Sequence, residues 1–163
     1  RVGTRTHQRS IGSKSTLKDL EKWVNTLIET NDWGVGMTHG LTYGYDAFRN
    51  PQRLWDHLDQ VKARENEIWV GTFREVVSYI KEREETKLEV VNKKNTLLIT
   101  PELKLDQELF VEPLTMVITG KEIKKVTVKQ GKRRLPVQIT DDKVLFDFDP
   151  DGGMIKVTLK IQK

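Results

Sequence analysis

No cysteine occurs in the 163 residues, which excludes disulfides, thiolate zinc sites and cysteine nucleophiles together. No apolar run is longer than a few residues, so no membrane-spanning helix fits. Aromatic and imidazole side chains are missing from the second half: all four Trp, all three Tyr and all three His stand at or before Tyr79. Charge is also unevenly spread. Up to Glu85, 13 Lys/Arg balance 13 Asp/Glu, and from Thr86 onward 15 stand against 11, giving the whole net charge of +4. The densest basic spot is Lys132-Arg133-Arg134 beside Lys129. A nucleic-acid footprint calls for a larger basic excess with aromatics interleaved, so no nucleic-acid partner is expected. The first residue is Arg1 and no signal-like segment follows, so the expectation is a processed chain or a piece of a longer one.

What is present divides into two patterns. Up to about residue 86 helical and strand patterns alternate. In "STLKDLEKWVNTLIETND", Leu17, Leu20, Val24, Leu27 and Ile28 share a helical face, with Ser15 or Thr16 as the N-cap. A strand is predicted over Trp33 to Thr38. A second helix opens with Asn50 as N-cap and Pro51 at its first position, burying Leu54, Leu58 and Val61. Ile68 to Val70 reads as a short strand. A third helix has the capping-box spacing Thr72 to Glu75, with Phe73, Val76, Val77 and Ile80 inward. This order argues for parallel strands with crossover helices. Two or three strands cannot cover both faces of a parallel sheet, so this part reads as the tail of a larger α/β unit.

From residue 87 the period changes to two. Six β-rich segments, from "TLLITPEL" to "MIKVTLKIQ", are separated by turn signals and predict a small antiparallel β-sandwich. Pro101 and Pro136 favour edge positions. Asp147, Asp149 and Asp151 in "DFDPDGG" have the one-three-five spacing of calcium ligands. The place a closing Glu would take is Thr158, so a tight turn is expected instead.

In a β/α barrel the chemistry gathers where strands end and βα loops begin. His39 follows "WGVGMT" at such a place, and imidazole exchanges protons near neutral pH. A satisfied structural histidine is the competing reading of the residues alone. Tyr43 and Tyr45 in the next loop could stack on or hydrogen-bond to a sugar.

The stretches "WGVGMTHG", "RLWDHLDQVKAREN" and above all "EIWVGTFREVVSYIKERE" resemble the C-terminal half of the polysaccharide deacetylases, carbohydrate esterase family four. The segments "PLTMVI" and "VLFDFDP" look like the small β-sandwich appended to some bacterial members. The resemblance implies α/β followed by all-β: residues 1–86 the C-terminal part of a (β/α) deacetylase barrel and 87–163 the sandwich. It implies hydrolysis of acetyl groups on a glycan, using a divalent metal, usually zinc, that activates water, with a carboxylate as base. A late histidine protonates the departing amine, a role that falls to His39, with Met37 replacing the usual leucine of that motif. Arg5, Trp33, Tyr43 and Tyr45 become candidate substrate-binding residues. Secretion or a periplasmic location is the corresponding expectation, with an acetylated glycan and the missing N-terminal half of the barrel as partners. A non-catalytic carbohydrate-binding or structural module is the rival reading.

This chain departs from the family where the metal is concerned. The family holds it with an Asp and two histidines in a His-x-x-x-His motif, whereas here the three histidines are His7, His39 and His57. None is expected to bind metal in this chain alone, and His57 reads as a partly exposed packing residue. A strand ending near Val2 to Thr6 is expected to deliver Arg5 or His7 to the rim that holds His39.

Overall fold

A computed structural model describes residues 5–120, 123–140 and 142–161, with 123, 124, 160 and 161 followed at the backbone level only. The chain divides into two compact units, Arg1–Gly71 and Thr72–Lys163. The first contains β1 (Thr6–Ser10), α1 (Leu17–Thr30), β2 (Trp33–Met37) and α2 (Gln52–Lys62). The second contains α3 (Phe73–Glu85), then β3 (Lys87–Lys93), β4 (Thr96–Glu102), β5 (Leu114–Thr119) and β6 (Ile123–Gln130). It continues with β7 (Arg133–Leu135), β8 (Gln138–Ile139), β9 (Lys143–Phe148) and β10 (Ile155–Ile161). The third helix therefore goes with the strands that follow it, while the hydrophobic period changes about 15 residues later.

In the first unit β1 and β2 pair in parallel, His7 opposite Gly34 and Arg9 opposite Gly36. Helix α1 starts where the sequence places it. Thr16 caps it, its hydroxyl accepting from the Asp19 N–H while the Asp19 carboxylate accepts from the Thr16 N–H. The two glycines of β2 face this helix. A Cβ on Gly34 would meet the Leu27 side chain at 2.2 Å, and one on Gly36 would touch the Trp23 ring at 3.4 Å. Glycine is thus what allows α1 to lie directly on the strand. Ile11, Leu20 and Phe48 form the buried cluster, with Leu54 against it. The other face of the pair carries Gln8, Ser10 and Met37, all exposed.

In the second unit every strand pairing is antiparallel. One sheet has the order β3-β4-β10-β6-β7 and the other β5-β9-β8. Alternate side chains of both enter one core. Ile99, Val126, Val128, Leu135, Ile155 and Val157 come from the first sheet, and Leu114, Val144, Phe146 and Phe148 from the second. Tyr79 of α3 packs against it. Strand β3 is an edge strand whose seven residues are all exposed, and Lys94 (φ 54°) makes its turn into β4. Residues 149–153 form the expected tight turn. Its backbone is held by the buried Gln130 amide, which donates to the Asp149 carbonyl (2.6 Å) and accepts from the Asp149 N–H (3.1 Å).

The molecule is mixed α/β, mostly antiparallel, with three helices and no closed barrel among the described residues. No helix among them is long and apolar enough to cross a membrane. Several local expectations need correction. Ile68–Val70 is irregular backbone, not a strand. On α2 the buried residue is His57, 5% exposed, while Leu58 is 44% exposed, so the inward face is turned by one position. Phe73, expected inward, is 64% exposed. Strands β3 and β7 were missing from the expected set. Pro101 is on an interior strand. It sits beyond the Thr96–Ile99 stretch that pairs with β10 and faces Leu88 of the edge strand β3.

One side chain in α3 runs against burial rules. Glu82 is fully buried, with Oε1 accepting from the Glu112 N–H at 3.0 Å and Oε2 without a partner. Burial pushes its carboxyl above the ordinary range, and the nearby charges of Glu112, Asp151 and Asp149 push the same way. The native state therefore holds this proton to higher pH than the unfolded chain does. Stability from this group is complete below the unfolded carboxyl value and is lost as pH rises through the folded one. Glu82→Gln should raise the melting temperature at about pH 7, consistent with a relief of about 1–3 kcal/mol for an uncompensated buried group. The gain should vanish at about pH 4, where both forms are neutral. Calorimetric melts across this range check the prediction, and a gain independent of pH would contradict it.

Candidate functional site at the end of β2

The C-terminal end of the parallel pair is built by Ile11–Ser13 after β1 and by Thr38–Asn50 after β2. The Ile11 N–H donates to the Met37 carbonyl at 2.8 Å, extending the ladder to the rim. The 40–50 loop then turns back on itself. The Phe48 N–H donates to the Gly40 carbonyl at 3.3 Å, and Ala47 and Phe48 are fully buried as its root. Gly44 (φ 115°), Asp46 (φ 48°) and Arg49 (φ 64°) all have positive φ, two of them without being glycine. Such concentrated backbone strain is maintained only where surrounding contacts over-determine it.

His39 is exposed at this rim and packs edge-on to the Tyr45 ring, centroids 5.5 Å apart and planes at 81°. Tyr43 and Tyr45 are each 83% exposed, so their rings stand in solvent where a planar sugar face could meet them. Asp46 joins them. Its Oδ1 accepts from the Ser13 hydroxyl at 2.6 Å and from the Ser13 N–H at 3.2 Å, tying the loop after β2 to the loop after β1. The Ser13 hydroxyl bond holds the Asp46 carboxyl below its ordinary value, with smaller contributions in the same direction from Lys14 and His39. Asp46 was not a sequence candidate, although an Asp one position after Tyr45 in a glycine-bearing loop was the available signal.

The remaining candidates are elsewhere. Parallel pairing puts Thr6 opposite Trp33, and the Trp33 N–H donates to the Arg5 carbonyl at 3.2 Å. Arg5 and Trp33 thus share the N-terminal end of the pair. Six residues of extended chain, about 20 Å, separate Trp33 from His39. The expectation that β1 delivers Arg5 or His7 to the rim is corrected by strand direction. β1 begins at Thr6, so its rim end is Ser10, and residues 1–4 lie outside the described part. His7 Nε2 is instead 2.8 Å from Asp32 Oδ2 at the far end, and that hydrogen bond is the main cause of the lowered Asp32 carboxyl. His57 is buried, not partly exposed, its Nδ1 lacking a partner and burial lowering its pKa. Among the described residues no three His, Cys, Asp or Glu are grouped to hold a metal ion. The residues present do not fit the metal that the family resemblance implies.

No family model matches the chain, and no curated protein matches it at a significant level. Among solved structures, an alpha-fucosidase from Thermotoga maritima superposes with a TM-score of 0.30 at 10% identity. The superposition spans 94% of this chain and 39% of that one, and a likeness so weak carries no argument.

Gly40 holds the rim loop in shape, since a Cβ there would lie 2.2 Å from the Tyr43 carbonyl oxygen. Gly40→Ala should therefore cost about 1–3 kcal/mol of stability, the usual scale for overpacking. It should also shift the His39 ring-proton NMR signals as Tyr45 moves off the imidazole edge. Unchanged His39 resonances in the folded variant would contradict this account of the loop.

Proposed function

We propose that this chain is the C-terminal part of a metal-dependent polysaccharide deacetylase, with His39 as the general acid. The observation that supports the reading best is the exposed imidazole at the C-terminal end of a parallel strand, flanked by exposed Tyr43 and Tyr45. The uncovered face of the β1–β2 pair, with Gln8, Ser10 and Met37 exposed, suits a sheet that further parallel strands would complete. The part of the barrel carrying the metal would supply the activation of water, and no step of it is assigned to residues of this chain.

What this chain contributes is the second half of the reaction. Once water has added to the acetyl carbonyl, the C–N bond breaks and its electron pair returns to nitrogen. The His39 imidazolium gives its proton to that nitrogen, so that a free amine and acetate leave. Tyr43 and Tyr45 position the sugar ring, and Asp46 holds the loop that carries them. The chemistry applies equally to an ester, with oxygen as the leaving atom.

The test is acetyl release from an N-acetylated oligosaccharide in the presence of zinc, with this chain alone and with its N-terminal complement. The chain alone should be inactive. With the complement, His39→Ala should lower turnover about a hundredfold or more, the scale of losing a general acid. A complemented rate unchanged by this substitution would remove His39 from the mechanism.

A further inference from the structure

Cross-strand register puts the cations of the second unit in rows. Strand β6 carries Lys124, Lys125 and Lys129, β7 carries Arg133 and Arg134, and β10 carries Lys156 and Lys160. These three adjacent strands contain no Asp or Glu. Lys129 stands opposite Arg134 on one side and Lys156 on the other. Their neighbours Val128, Leu135, Ile155 and Val157 are buried, so Lys129, Arg134 and Lys156 project together from the outward face, as does Lys125. Like charges directly opposite one another oppose strand pairing. Among the described residues no ion pair neutralises this row. The nearest acidic turn is already engaged: Asp149 Oδ1 accepts from the Asp151 N–H at 2.9 Å, and Asp151 Oδ1 from the Gln107 amide at 2.9 Å.

A cleft opens at the β7 edge, its Thr115, Gln138 and Asp147 lining coming from the outward face of the other sheet. Arg133 and Arg134 at the β7 edge line an open cavity of about 560 Å³ with Gln138, Thr115 and Asp147. Its floor is apolar, from Leu145 and Pro136. Asp147 Oδ1 accepts from the Thr115 hydroxyl at 2.7 Å. The cleft thus combines guanidinium donors suited to a carboxylate with amide, hydroxyl and carboxylate groups suited to sugar hydroxyls.

We propose that this face binds a linear acidic polysaccharide, with Arg134, Lys129 and Lys156, one cation per strand, meeting successive uronate carboxylates. Strands stand about 4.8 Å apart, comparable to the rise of one sugar unit. Charge complementarity selects a polyanion. The absence of Trp and Tyr after Tyr79 removes the stacking platform that single-stranded nucleic acid uses. Neutral glycans gain nothing from the row. The inference concerns the second unit and is independent of the role given to His39.

The experiment is affinity electrophoresis of the whole chain at low salt against polygalacturonate, dextran, single-stranded DNA and phosphatidylserine vesicles. Polygalacturonate should retard it most, dextran not at all, with the retardation lost at high salt. Lys129→Thr/Lys156→Thr should weaken polygalacturonate binding about tenfold without lowering the melting temperature, since it removes opposed like charges. Arg134→Gln at the edge strand provides a second variant, expected to weaken binding in the same direction. Lys18→Gln/Lys22→Gln, which removes the same charge from α1, should leave binding unchanged. The proposal is overturned by absent polygalacturonate binding, by equal retention on dextran, or by tighter binding of DNA or vesicles. Unaltered polygalacturonate binding by the folded β-strand variants would overturn it as well.

Discussion

Gly34 determines how closely α1 approaches β2 in the first unit, since a Cβ there would meet Leu27 at 2.2 Å. With no side chain at 34 or 36, Leu27 and Trp23 of α1 occupy the space over β2, and the helix packs on the strand backbone. That contact defines which face of the parallel pair is covered and leaves its opposite face, with Gln8, Ser10 and Met37, to solvent. Parallel pairing with β1 brings the C-terminal ends of both strands to one rim. Everything at the rim follows from that pairing: His39 emerges where β2 stops, and Ser13 waits at the end of β1 to receive Asp46.

The rim loop is rigid at its root and open at its tip. Ala47 and Phe48 are buried without residue, the Ser13–Asp46 bonds tie the two loops, and three positive-φ positions make the turns. Between these anchors the aromatic rings and the imidazole are solvent-facing. A hydrophobic collapse would have drawn Tyr43 and Tyr45 inward, so their exposure is a product of the backbone path. The same separation of tasks appears in the second unit, where inward Val, Ile and Phe residues supply cohesion and the outward positions of β6, β7 and β10 carry charge.

Local features were readable from the residues because their signals are local. The N-cap at Ser15 or Thr16 and the capping box at Thr72–Glu75 need only a few residues each, and the period-two strands announce their inward faces by alternation. Strand β3 was missed because the alternation of "KLEVVNK" breaks at Val91-Asn92 and the strand is exposed throughout. Strand β7 is three residues long, too short for periodicity to register. His39 and its tyrosines could be singled out because loop and histidine are adjacent in sequence. Asp46 is adjacent to them in sequence too, but its role in tying the two loops depends on Ser13, 33 residues away. Arg5 was expected beside His39 from a strand ending near Val2 to Thr6, but parallel pairing carries it, with Trp33, to the other end. The helix–strand order suggested parallel strands throughout the first half, yet among the described residues β1 and β2 are the pair that forms there, and Ile68–Val70 is irregular backbone.

Strand β3 closes one side of the five-stranded sheet with Leu88, Val90 and Val91 in water and one row of backbone amides and carbonyls facing outward. Such a border is a template for intermolecular strand addition, the first step toward fibrils. Lys87, Glu89 and Lys93 are placed along it as gatekeepers, since a second copy docking in register would bring ammonium groups together away from water. The charged residues that obscured this strand in the sequence are thus the ones that keep neighbouring molecules apart.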